Sequence, residues 1–159
     1  MAKMAELVSA YLAGTQALRQ ATAGMSRQQV MARPVAGKWS TLEVICHLAD
    51  FDPIYADRMK RVIAEDSPTL LGADETRFAA ALAYHERDLE EELTIIDTTR
   101  RQMARILRTL PDAALGRAGV HNERGPVTLE KLLTSIINHV EHHLKFVREK
   151  RQALGLAPA

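Results

Sequence analysis

His139 and His143 stand four residues apart and interrupt an apolar stripe formed by Leu129, Leu132, Ile136 and Phe146. At that spacing two side chains leave one helical face a turn apart and can converge on a single ion. An imidazole withdrawn from water needs a partner at each ring nitrogen, and each nitrogen left without one costs about 1–3 kcal/mol. A divalent cation answers one nitrogen of both rings at once, leaving the other N–H of each to a carboxylate, carbonyl or water. Ordinary polar-core or surface histidines share this spacing, so the pair alone does not specify a metal. His142, three residues from His139, competes with His143 for the second position, although the line through Ile136 and Phe146 favours His143.

A metal site in a helical bundle takes a further ligand from a facing helix. His47 is the candidate, on an apolar strip with Val44, Phe51 and Ile54, about two turns after Ser40. Its competing role is a core histidine hydrogen-bonded to Glu43 or Asp50, at i−4 and i+3. With a metal present, those same acids become candidates for the outer ring nitrogen. His121 and His85 are read as solvent-facing, with His121 a candidate for the mouth of the site. Cys46 adjoins His47, but successive helical residues point about 100° apart, so it reads as a small core residue and not a fourth ligand. No Ser–His–Asp or Cys–His arrangement offers a rival nucleophile.

The elements that must position these residues are helical. Met4, Leu7, Tyr11, Gly14 and Leu18 recur at spacings of three and four, with Gly24 at the exit. Ser26 to Gln29 and Ser40 to Glu43 each read as a capping box, in which the serine hydroxyl accepts a backbone N–H and the third residue on reaches back. The second long helix carries Val44, Ile45, Leu48, Phe51, Tyr55, Met59 and Val62, with a kink expected at Pro53, and ends at Asp66-Ser67-Pro68. Asp74 caps a short helix to about Ala83. The third long helix is expected from His85 to Leu110, before Pro111, with Arg100, Arg101, Arg105 and Arg108 forming a solvated basic face. Thr128 caps the fourth, which runs to about Ala153, with Gly155 as its exit. The fold class is all-α, a four-helix bundle without a strand network. A long connection between the second and third long helices lets them run in the same direction.

Bulk properties bound the rest. A chain of 159 residues suits one domain, residues 1–159. A formal net charge of +1 gives no global field to recruit nucleic acid or an anionic membrane. The single cysteine excludes an intrachain disulfide. The first residues carry Glu6 and lack a signal-peptide core, and no run approaches the roughly 18 apolar residues of a membrane span. Cytoplasm is the expected compartment.

The stretch Gly37-Lys38-Trp39-Ser40, then His47-Leu48-Ala49-Asp50, then His139 to Leu144 resembles the DinB/YfiT-like metalloenzymes. Arg33-Pro34 and Gly125-Pro126-Val127-Thr128-Leu129 extend the resemblance over most of the chain, while residues 66–84 match poorly. The resemblance implies a four-helix bundle, homodimeric in many members, with one metal held by His47, His139 and His143. Three neutral imidazoles leave the charge of the ion unbalanced and a coordination position open, the catalytic type of site. Zinc suits them best, with nickel, iron or manganese allowed. Such an ion can activate water or a thiol, or polarise a carbonyl. The resemblance therefore implies an enzyme acting on a small molecule. The leading expectation is transfer of a low-molecular-weight bacterial thiol; metal-dependent hydrolysis and non-catalytic metal binding are the alternatives.

Overall fold

The computed structural model describes residues 2–158. Four long helices carry the architecture: α1 (Ala2–Thr22), α3 (Thr41–Ala64), α5 (Leu89–Leu107) and α6 (Leu129–Ala153). Two short ones, α2 (Arg27–Met31) and α4 (Glu75–Ala81), lie in the connections. Both capping boxes form. Ser26 closes the start of α2, and Ser40 accepts from the Glu43 amide at 3.1 Å while Glu43 accepts from the Ser40 amide at 2.7 Å. Asp74 accepts from the amides of Thr76 and Arg77, and Thr128 from that of Lys131. Helix α3 continues through Pro53.

The helix directions follow from two apolar clusters. One joins the start of α1 (Met4, Val8, Tyr11), the ends of α3 (Met59, Val62) and α5 (Met103, Leu107), and the start of α6 (Leu129, Leu132, Ile136). The other joins the end of α1 (Leu18, Ala21), the starts of α3 (Val44, Ile45, Leu48) and α5 (Leu93, Ile96), and the end of α6 (Val140, Leu144, Val147). Helices α1 and α6 therefore run one way and α3 and α5 the other. The consecutive pair α3 and α5 is parallel, so the connection between them travels the length of the bundle, as the sequence suggests. Each fully buried Leu or Ile in these clusters contributes about 1.5–3 kcal/mol.

Three features differ from the sequence reading. Helix α5 starts at Leu89, because Asp88 accepts from the amides of Glu90 and Glu91, and His85 belongs to a separate 3₁₀ turn, Tyr84–Glu86. A small sheet is present: β1 (Thr69–Leu70) pairs in parallel with β2 (Ala118–His121), which pairs antiparallel with β3 (Gly125–Thr128). Strands of two and four residues are too short for period-two patterning to declare itself, and Pro126 is tolerated because β3 is an edge. The sheet ties the crossover segment to the loop before α6. Third, Arg100 is not on the solvated basic face. It is fully buried, while Arg101, Arg105 and Arg108 are exposed.

Arg100 of α5 reaches every other long helix. Its Nε donates to the Asp52 carboxylate of α3 at 3.0 and 3.1 Å, Nη1 to the Tyr11 carbonyl of α1 at 2.8 Å, and Nη2 to the Ile136 carbonyl of α6 at 3.4 Å. Gly14 makes room for it, since a Cβ there would lie 2.5 Å from Arg100 Nη1. No helix among the described residues is long and apolar enough to cross a membrane.

Candidate metal centre

His47 lies in the second turn of α3, with two aromatic rings against its own. The Phe51 ring lies 4.6 Å away, centroid to centroid, and the Trp39 ring 5.4 Å away. Trp39 precedes the Ser40 cap, and the segment before it is anchored to the same helix end, where Arg33 donates to Glu43 through Nε at 3.0 Å. From α6, His139 and His143 complete the cluster, with ring centroids 4.7 Å apart from one another and each 4.8 Å from His47. The structure thus brings all three sequence candidates together: one potential ligand atom from each ring lies within 4.8 Å of the others.

His47 Nε2 and His139 Nε2 approach to 2.8 Å. Two imidazole lone pairs cannot face one another at that distance; either one ring donates a hydrogen bond to the other or both turn their lone pairs toward a shared cation. His47 is fully buried and the other two rings are half-buried. Burial is the main reason that His139 and His143 are lowered to about 3, with neighbouring imidazoles adding to it. Burial also lowers His47, opposed by Glu75 and Asp50. All three rings are therefore neutral at physiological pH, the state in which imidazole ligates metal. The residues present fit a divalent cation.

The outer nitrogens do not find the acids expected from the sequence. Nδ1 of His47, His139 and His143 is buried and lacks a protein hydrogen-bond partner among the described residues. Glu43 is taken by Ser40 and Arg33; burial opposes its ionisation, but those hydrogen bonds hold its carboxyl below the ordinary value. Asp50 is held by both terminal nitrogens of Arg87, at 2.9 and 3.1 Å, and Arg87 also pairs with Glu92. Glu43 braces the start of α3, Asp50 ties it to Arg87, and neither is hydrogen-bonded to the rings.

The remaining candidates separate cleanly. His142 is exposed, its ring edge-on to His143 and Phe146. His121 is buried in β2, where Nδ1 accepts from the Glu123 amide at 3.2 Å, so it is not solvent-facing. His85 is exposed beside Glu86. Cys46 is buried, donates to the Tyr84 carbonyl at 3.5 Å, and its thiol is pushed up to about 12 by burial, with Glu92 adding to the effect.

One residue near the cluster escaped sequence reasoning. Glu75, first in α4, places Oε2 3.8 Å from His47 Nε2. It stands there because Asp74 caps the short helix and Phe78 packs on Phe51 at 5.7 Å. The Asp74 cap was visible in the sequence; the docking of α4 over His47 depends on the crossover and carries no local signal.

Known proteins agree with this architecture. The solved structure of YfiT from Bacillus subtilis, described as a probable metal-dependent hydrolase with an unusual four-helix bundle topology, superposes with a TM-score of 0.89 at 23% identity, covering 97% of this chain and 89% of that one. By sequence, YfiT is 26% identical over 87% of this chain and 78% of its own. A Bacillus licheniformis relative is 25% identical over 87% and 79%, and one from Oceanobacillus iheyensis 26% identical over 82% and 75%. All three carry provisional names as metal-dependent hydrolases. The model of the DinB superfamily matches residues 10–147, and the chain belongs to that family.

Proposed function

We propose that the chain is a metal-dependent hydrolase of a small molecule, with His47, His139 and His143 holding one divalent ion. The observation that carries this reading is the convergence of three neutral imidazoles from α3 and α6 within 4.8 Å. The names of the relatives support hydrolysis over thiol transfer. When bound, the ion supplies a Lewis acid that activates water and polarises a carbonyl. His47 fixes one side of the site from a buried, aromatic-walled position, while His139 and His143 close the other. Glu75 is the carboxylate placed to accept a proton at Oε2 from the attacking water. Phe51, Trp39 and Phe78 shield the rings from bulk solvent.

Thiol transfer is the second reading, favoured by a ligand set with no acidic member, which leaves positive charge to hold a thiolate. Zinc as the ion, a homodimer as the assembled form and the cytoplasm as the compartment complete the proposal. Metal analysis identifies the ion, and sedimentation the assembly. Turnover is tested on the zinc-loaded chain with a panel of esters and amides beside a thiol-conjugation assay. Hydrolysis without added thiol supports the first reading; conjugation alone supports the second. Glu75→Gln is expected to lower turnover by about 10²-fold with zinc content unchanged. Unchanged turnover would remove Glu75 from the proton path.

A further inference from the structure

Beside the histidine cluster, and lined in part by His143, lies a cavity of about 240 Å³. Trp39, Val44 and Phe146 give it apolar walls, and Lys38 and Lys150 supply its cations. Lys150 is 1% exposed. Its ammonium donates one hydrogen bond, to the Phe146 carbonyl at 3.1 Å, and lies 5.7 Å from the Phe146 ring. Neither Lys150 nor Lys38 forms an ion pair among the described residues, and the nearby Glu43 is engaged by Arg33 and Ser40.

A lysine withdrawn from water is ordinarily matched by a carboxylate, and one left without a counter-charge is costly. Burial accordingly pushes Lys150 below the usual lysine value, with Glu149 opposing and Lys38 reinforcing. Long helical side chains lean toward the helix N-terminus, which draws this ammonium back along α6 toward His143, seven residues earlier. The ammonium and the His143 ring therefore line the same cavity.

We infer that this cavity is the acid subsite for the substrate: Lys150, with Lys38 at the rim, holds a carboxylate whose apolar body lies between Trp39 and Phe146 and whose reacting bond reaches the histidine cluster. The substrate class is then a small apolar acid. The inference rests on the hydrolase reading for its reacting bond, but acid binding itself does not require turnover.

Trp39 is the only tryptophan of the chain and lines the cavity, so its fluorescence reports occupancy directly. The probes are 3-phenylpropionate and its neutral amide, titrated into the zinc-loaded chain and into the same protein treated with chelator. The acid is expected to change Trp39 emission saturably, and the amide to bind about tenfold or more weakly, as loss of a charge-assisted hydrogen bond requires. Lys150→Met is expected to weaken the acid by a similar factor, and Lys150→Arg to retain it. Equal binding of acid and amide to the wild-type chain would overturn the proposal without recourse to any variant. So would a response that disappears with the zinc yet survives Lys150→Met, because the acid would then ligate the ion. Phenyl phosphate binding with higher affinity than the carboxylate would also overturn the stated class. Failure of zinc retention with acid binding intact would count against the metal centre and not against this subsite.

Discussion

At the residue scale, the metal-free histidine cluster has a defined cost in protons. An unfolded histidine takes a proton near pH 6.5, whereas His139 and His143 in the folded chain resist to about 3, chiefly through burial. Between those values the unfolded chain binds more protons, so falling pH favours unfolding. Stability is full above about pH 6.5 and is lost progressively as the pH falls toward the folded values. Urea midpoints of the metal-free protein at about pH 7.5 and about pH 5 are expected to differ in that sense. Replacing all three histidines with leucine should flatten the dependence; a steep dependence in that variant would place its source elsewhere. His47, His139 and His143 were legible in the sequence because imidazoles on an apolar helical stripe are conspicuous. Glu75 and Lys150 were not, since an acid at a helix start and a lysine near a helix end are ordinary dipole partners. Only the packed structure shows which way they face.

At the element scale, the start of α3 controls the presentation of His47. Glu43 closes the capping box with Ser40 and also receives Arg33, so one side chain fixes the helix end and the segment that carries Trp39. Glu43→Ala is expected to cost about 1–2 kcal/mol in denaturant unfolding, a cap plus a partly exposed ion pair. It should also shift Trp39 emission in the folded state. A loss of stability with native Trp39 emission would separate the cap from the placement of Trp39. Caps at Ser26, Ser40, Asp74 and Thr128 were readable because short polar residues before apolar periodicity satisfy free amides. The start of α5 lies at Leu89 and not His85 because Asp88 caps it, a signal blurred by the polar run His85, Glu86 and Arg87 before it, and the three short strands hold too few residues for a pattern. Glu43 and Asp50, the two acids expected at the outer ring nitrogens, are equally placed by spacing. Arginines distant in sequence claim them.

At the scale of the whole molecule, Arg100 and Asp52 register the four long helices against one another. Arg100→Met would leave the fully buried Asp52 carboxylate uncompensated, and a loss of about 3–5 kcal/mol is expected. Adding Asp52→Leu should recover much of it, since apolar replacement of a buried pair is often near neutral. No recovery in the double variant would show that the carbonyl contacts to Tyr11 and Ile136 matter more than the ion pair. Gly14→Ala tests the same junction from α1, because the new methyl meets Arg100 Nη1; an unchanged melting temperature would show that the guanidinium shifts at no cost. The parallel pairing of α3 and α5 was legible from the length of the connection between them. The central role of Arg100 was hidden by its place among three exposed arginines.

Whether α3 and α6 present one ion to three imidazoles is tested most directly by metal analysis of untagged, zinc-exposed protein. Wild type is compared with His47→Ala, His139→Ala and His143→Ala, each checked for helical content. The account predicts close to one zinc per wild-type chain and loss of most of it in every variant. Near-stoichiometric zinc in all three variants, or none in the wild type, would contradict it.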